Sequence, residues 1–362
     1  MPKSTEPKLV FLDAMRGFAA LMVFLGHAKF FLIPFTLSEA IASGAILTII
    51  FSIIMQFFVF GHQAVILFVF LSGFWVAFSQ IRKNLSKKDF VKRRLSKVYL
   101  PYIFALLFSL VVDLIGSYIF PDFYAKLILT IQSFFSTLFL FGALYTGFGS
   151  NIPLITVALI IICYLLYIIF QKHLLIGLLV GIIGTIAYVF SLEPILVVFV
   201  YWNIWLFGAI ISQLYLQKKL FFNTFPRKVL ARIFDLLTIL FVLWVLYKNY
   251  FFSVWYADIF EDLIVGICLA YLVYRLLTTK IDLKLPSFFN KLSDYSYSLY
   301  LIHYPIIVVL YAAFTKDLVV FFAVIPIVWV ITLLFNRAVI FSAMLYPAKK
   351  VVVPVGKAVS KK

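Results

Sequence analysis

LDAMRGFAALMVFLGHAKFFL, residues 12–32, is apolar over a length that can cross a bilayer, yet it holds Asp13, Arg16 and His27. About 20 apolar residues at 1.5 Å each span the roughly 30 Å hydrocarbon layer. Ionisable side chains at that depth are costly and are kept where they do work. Arg16 and His27 are eleven residues apart, so on a helix they share one face, separated by roughly 16 Å. Asp13 lies one turn before Arg16 and is placed to orient it. The stretch carries charge and lacks a small-residue cleavage site, so it is expected to be a retained span and not a removable signal.

The rest of the chain is as apolar as this segment. Of 362 residues 65% are hydrophobic and 12% charged, with a mean hydropathy of +1.12. Soluble domains have about 45–50% and about 25%. So much apolar surface needs lipid as its solvent. The net charge of +17 raises nucleic acid as a partner. The basic residues, however, fall in short clusters between apolar runs, which is the pattern of membrane topology, so no nucleic acid is expected. Cys163 and Cys268 each lie inside an apolar run and suggest neither a disulfide framework nor a metal site.

Stretches of spanning length lie at about 9–32, 62–80, 98–120, 153–170, 174–190, 195–214, 230–250, 258–277, 296–314 and 318–336. Two further apolar runs, 40–58 and 127–144, also qualify by composition, and loop charge decides their fate. With ten spans and a cytoplasmic N-terminus, all of the 31 Lys and Arg except Lys29, Lys126, Lys248 and Lys316 fall inside. If 40–58 crossed, the basic segment from Arg82 to Lys97 would face outward, against the positive-inside rule. The two extra runs are therefore read as re-entrant or interfacial helices on the outer face, and two of them suggest a cavity open to that side. The expected fold is all-α and polytopic, with about ten spans. Residues 1–338 form the membrane domain, and 339–362 form a basic cytoplasmic tail in the plasma (inner) membrane protein.

The first span offers a chemical pairing. A guanidinium at the inner mouth can hold an anionic group, and an imidazole deep in the membrane can take a proton from a hydroxyl. The pattern LDxxRG followed by Arg16-x10-His27 resembles the first span of the membrane acyltransferase 3 family, O-acyltransferases of surface polysaccharides. The likeness continues in GHQAVILFVFLSGF (61–74), RRLSKVYLP (93–101) and SYSLYLIHYP (296–305), in the expected order across nearly the whole chain. The resemblance implies transfer of an acyl group, expected to be acetyl, from cytoplasmic acyl-CoA to a hydroxyl of an extracytoplasmic or lipid-linked glycan. Acyl-CoA enters as co-substrate, and no tightly bound cofactor is implied. His27 corresponds to the catalytic base and Arg16 to its partner in donor binding. Arg93, Arg94 and Lys97 form the cytoplasmic basic element for the donor, and His303 is a further donor contact near the inner end of span nine. Asp13, His62 and Ser72 are supporting residues; Ser72-Gly73 also reads as small-residue packing between helices.

The chain departs from the family pattern at three places. Gln63 stands where related sequences carry Glu after Gly-His. Pro153-Leu154 continues to Leu159 without Trp or an acid, and Asn336-Arg337-Ala338 replaces Glu-Arg-Pro. Glu39 and Asp113, both on the expected outer side, are the candidates to replace the missing carboxylate. Two other classes of function fit the same pathway: a glycan transporter or flippase, and an inactive acyltransferase-like scaffold. The topology is directly testable. Single cysteines at Glu39 and Asp122 should label with an impermeant reagent from outside cells, and one at Lys88 should not; external labelling at Lys88 would overturn the ten-span reading.

Overall fold

A computed structural model describes residues 7–143, 147–217, 225–252, 259–278 and 285–345. Among them every regular element is helical. In chain order these are α1 (Pro7–Leu32), α2 (Leu37–Ser43), α3 (Ile46–Gln56), α4 (Gly61–Lys83), α5 (Lys87–Arg94), α6 (Leu100–Ile119), α7 (Pro121–Tyr124), α8 (Ile131–Leu138), α9 (Pro153–Phe170), α10 (Leu174–Ser191), α11 (Val197–Leu216), α12 (Phe225–Phe252), α13 (Ile259–Thr278), α14 (Ser287–Phe314) and α15 (Leu318–Leu345).

Eight helical runs are long and apolar enough to cross a membrane: α1, α3–α4, α5–α6, α9, α10, α11, α14 and α15. The remaining two expected spans appear as α12 and α13, of 28 and 20 residues. Their charges meet one another. Tyr271 Oη donates to Asp235 at 2.7 Å, Arg275 lies 3.5 Å from the same carboxylate, and Lys248 pairs with Glu261 at 2.5 Å. Exposed Ile and Leu side chains line the outward faces of helices such as α10, whose Gly177, Gly181 and Gly184 turn inward to α11. Apolar surface outside and small residues at the contacts is the arrangement lipid favours.

The two extra apolar runs differ from each other. The first is no separate element: α3 passes through a 3-10 turn at Phe57–Phe60 into α4, giving one run, Ile46–Lys83, of 38 residues. The number of crossings is unchanged, because α2 and α3 remain on the side where α1 ends. Gly44, at φ 67°, makes the tight turn between them, a left-handed conformation that glycine adopts without strain.

The second run is re-entrant. Tyr124 packs on Gly116, the Ser150 amide and hydroxyl donate to Asp113, and Asn151 donates to Ser109. The Tyr102 and Tyr99 hydroxyls donate to the carbonyls of Thr137 and Leu138. These contacts climb α6 from Tyr99 to Gly116, about 26 Å of helix, so the segment from α7 to α9 descends along most of α6 and returns. Two other boundaries move. Helix α14 begins at Ser287 rather than near 296, and α15 runs to Leu345, through the point where the tail was expected. Residues 346–362 of that tail lie outside the described residues.

Helices α1 and α14 form the central pair. A Cβ on Gly17 would collide with the Phe289 carbonyl and the Ser293 amide, so the two backbones touch there. Gly73 on α4 meets the Trp205 carbonyl in the same way, and Gly208 on α11 meets the Phe70 carbonyl. Replacing Gly17 by Val should therefore destabilise the protein by about 1–3 kcal/mol or more, the usual cost of overpacking a filled interface. Gly44→Ala meets no neighbouring atom and carries only the cost of its positive φ. Thermal melts of detergent-solubilised protein should rank Gly17→Val well below Gly44→Ala; equal melting temperatures would contradict the close approach.

Candidate functional site

Helix α1 holds Asp13, Arg16 and His27 on one unbroken helix, so the spacing read from the sequence carries over directly. Arg16 Nη1 donates to Asp13 Oδ1 at 3.0 Å, and Ser293 Oγ of α14 donates to Asp13 Oδ2 at 3.1 Å. The carboxylate thus fixes the guanidinium from one side and is itself fixed by the neighbouring helix. Both side chains keep part of their surface exposed.

His27 lies deeper, half-buried among the fully buried Val23, Phe24 and Ala28. Its Nδ1 is 3.0 Å from Nε2 of His303, and the two rings stack with centroids 5.2 Å apart. Tyr304 meets the His27 ring edge-on at 4.8 Å. This corrects the expected position of His303. Because α14 starts at Ser287, His303 sits about 24 Å along it, beside the candidate base rather than near the inner end.

The hydrogen bonds assign the protons. His303 Nδ1 is 3.0 Å from the Leu299 carbonyl, which can only accept, so Nδ1 carries a hydrogen. In the neutral ring Nε2 is then an acceptor, and His27 must present its own hydrogen through Nδ1. That leaves Nε2 of His27 as the basic nitrogen. His303 is wholly buried and orients a ring that is not.

Proline makes a further anchor nearby. Pro305 interrupts α14 and has no N–H for the carbonyl of Leu301. Asn151 Nδ2 donates to that carbonyl at 2.8 Å and to Ser109 Oγ at 2.8 Å. The end of the re-entrant segment is thereby tied to the helix that carries His303.

The basic element lies at the opposite end. Ser86 caps α5 through the Asp89 amide, and α5 continues into α6 through a π-helical turn at Leu95–Tyr99. Arg94 is drawn inward: its guanidinium lies over the rings of Phe90 and Tyr164, 5.2 and 5.3 Å from their centroids, and donates to Ser79 Oγ at 3.2 Å. Its Nε is buried without a hydrogen-bond partner. Lys97 is exposed and Arg93 half-buried, and both act electrostatically on Lys83 with Arg94 and Arg82. Ser72 links this region to the core, 2.9 Å from Tyr164 Oη and accepting from Trp205 Nε1 at 3.3 Å.

One cluster escaped the sequence reading. His62 Nε2 lies 2.6 Å from Asp262 Oδ1, and Gln63 Nε2 donates to Glu261 Oε1 at 2.7 Å. Asp262 and Glu261 are 0% and 4% exposed, where the charge pattern had placed them among outer-loop acids. Their signal was two consecutive acids opening a span opposite a His-Gln pair. A carboxylate thus stands beside Gln63 after all, supplied by α13. The two acids proposed for that task are committed elsewhere. Asp113 holds Ser150, and Glu39 accepts from the backbone and hydroxyl of Thr36 in a helix cap, which also lowers its pKa. Asn336, at another departure, accepts from Ser298 Oγ, and Leu159 is buried core.

The tautomer assignment can be read by nuclear magnetic resonance on protein labelled with ¹⁵N-histidine, with His27→Ala and His303→Ala used to assign the signals. Both rings should show hydrogen on Nδ1 and a bare Nε2 at neutral pH. Hydrogen on Nε2 of His27 would overturn the assignment.

A family model described as an acyltransferase domain matches residues 9–337, nearly the whole chain. Neither the curated proteins nor the solved structures compared with the chain gave a match.

Proposed function

Given that the chain belongs to the acyltransferase 3 family and is a membrane acyltransferase, we propose that it moves an acyl group, acetyl in the first instance, from acyl-CoA to a hydroxyl of a glycan or lipid-linked sugar on the other side of the membrane. In this reading the basic end of the bundle and both termini face the cytoplasm, and the membrane is the plasma (inner) membrane. The observation that carries the reading is the His27–His303 pair, which directs a basic nitrogen into the interior of a helix bundle.

The donor's phosphates meet the accessible cations at the basic end, chiefly Arg93 and Lys97, with Arg94 held between aromatic rings beneath them. Arg16, pinned by Asp13, receives the polar arm that follows. His27 Nε2 takes the proton of the acceptor hydroxyl as its oxygen attacks the thioester carbonyl carbon. Collapse of the intermediate breaks the carbon–sulfur bond, and the imidazolium returns the proton to the departing thiolate. Throughout, His27 Nδ1–H remains bonded to His303, which holds the ring and disperses its transient charge. His303 acts through His27 and is a positioning residue here, not a donor contact.

The assay is transfer from labelled acetyl-CoA to unacylated glycan by purified protein in lipid. His27→Ala should lose about 10²–10⁴-fold in rate, and His27→Gln should recover none of it, because an amide cannot take the proton. Arg16→Ala should chiefly raise the KM for acetyl-CoA, and Arg16→Lys should restore part of that affinity. Full turnover by both His27 variants would rule out the base and leave a transporter as the better reading.

A further inference from the structure

The recess formed by the starts of α4 and α13 holds more acceptor capacity than the protein itself uses. His62 and Gln63 face Asp262 and Glu261, and Lys248 of α12 closes one side by its pairing with Glu261. Tyr201 of α11 stands within electrostatic reach of Asp262, and His62 stands within such reach of His27. Two acceptor atoms here are buried and complete no hydrogen bond: Asp262 Oδ2 and Gln63 Oε1. A carboxylate oxygen left bare at a wholly buried aspartate costs more than almost any other unmet polar atom. The bare atoms belong to residues that are already fixed. His62 Nε2 holds Oδ1 of the aspartate, and Glu261 holds the amide nitrogen of Gln63, so both free oxygens are set in place.

From this geometry we infer that the His62–Gln63–Asp262 recess is the subsite that binds the acceptor, taking hydrogen bonds from hydroxyl groups of a sugar ring beside the one that reacts. The inference rests on the acyl-transfer reading above and extends it to a second set of residues. The chemistry selects the ligand: both unmet atoms are acceptors, so they call for O–H donors, and a thioester or a phosphate offers none. The location agrees, since His62 is near enough to influence His27 while the donor's cations lie at the other end of α4. Hydroxyls bound at Asp262 and Gln63 would hold the ring so that a neighbouring hydroxyl meets His27 Nε2.

Asp262→Asn isolates the claim, because it can keep the oxygen that His62 holds and turns only the bare acceptor into a donor. Gln63→Leu is the second variant. The acceptor probe is the unacylated glycan fraction from cells lacking this protein, titrated against fixed labelled acetyl-CoA, with full-length protein in lipid. Each variant should raise the KM for the glycan fraction by about 10- to 100-fold, the loss of one charge-assisted or neutral contact at a buried site, with the KM for acetyl-CoA unchanged. An unchanged glycan KM in both variants overturns the subsite, as does an equal loss toward both substrates, which marks a structural role. If the wild-type protein transfers no label to the glycan fraction, the acyl-transfer reading itself fails, and that result is distinct from either of the others.

Discussion

The contact on which the site depends is the bare backbone approach of α1 and α14 at Gly17. In lipid there is no hydrophobic drive to press helices together, so their register is set by shape and by a few polar contacts. With no side chain at position 17, the Phe289 carbonyl and Ser293 amide come directly against α1. The helices run in the same direction, and ten residues separate Gly17 from His27 just as ten separate Ser293 from His303. Equal steps along two parallel helices bring the imidazoles level. The same register lets Ser293 reach Asp13, so one close approach sets both the arginine clamp and the histidine pair.

Around this pair the interior obeys the rule that polar groups in an apolar medium must be answered. Pro305 frees a carbonyl and Asn151 answers it. Asp235 and Glu261 in the membrane helices are met by Arg275 and Lys248. Even the re-entrant segment, which has little regular structure of its own, is held by tyrosine hydroxyls and by Asp113. Such thorough pairing gives weight to the places where it stops. An unmet nitrogen on Arg94 and unmet oxygens beside His62 lie toward opposite ends of α4, with the histidine pair between.

What could be read in the chain followed from periodicity and charge. Arg16 and His27 share a face because both lie on one helix, and helix geometry is the same in any surroundings. The count of crossings followed from where the lysines fall. What could not be read depended on partners far away in sequence. Nothing near His303 says that α14 begins nine residues before the apolar run, because its first two turns are polar enough to look like a loop. Glu261 and Asp262 looked like surface acids for the same reason, their partners at 62, 63 and 248 being visible only in the fold. The run at 40–58 was separated from the next span by Gly61, which in the structure is simply the first residue after a 3-10 turn. Composition separates apolar from polar residues well, but it does not show where one helix hands over to the next.

The π-helical turn at Leu95–Tyr99 has a consequence for how this protein can vary. There the Leu100 amide reaches back five residues to Leu95, one more than in an ordinary helix, so one residue is accommodated without a break in the chain. Each such residue rotates everything before it by about 100° relative to everything after it. Arg93 and Arg94 therefore owe their direction to a count of residues, while α6 keeps the face that packs on the re-entrant segment. A single deletion between 95 and 99 would leave every basic residue present and the helix intact, yet would turn the cations a quarter of the way around the barrel of the helix. Relatives with the same charges but a different spacing here would be predicted to hold the donor at a different angle, a difference that counting their arginines and lysines would never reveal.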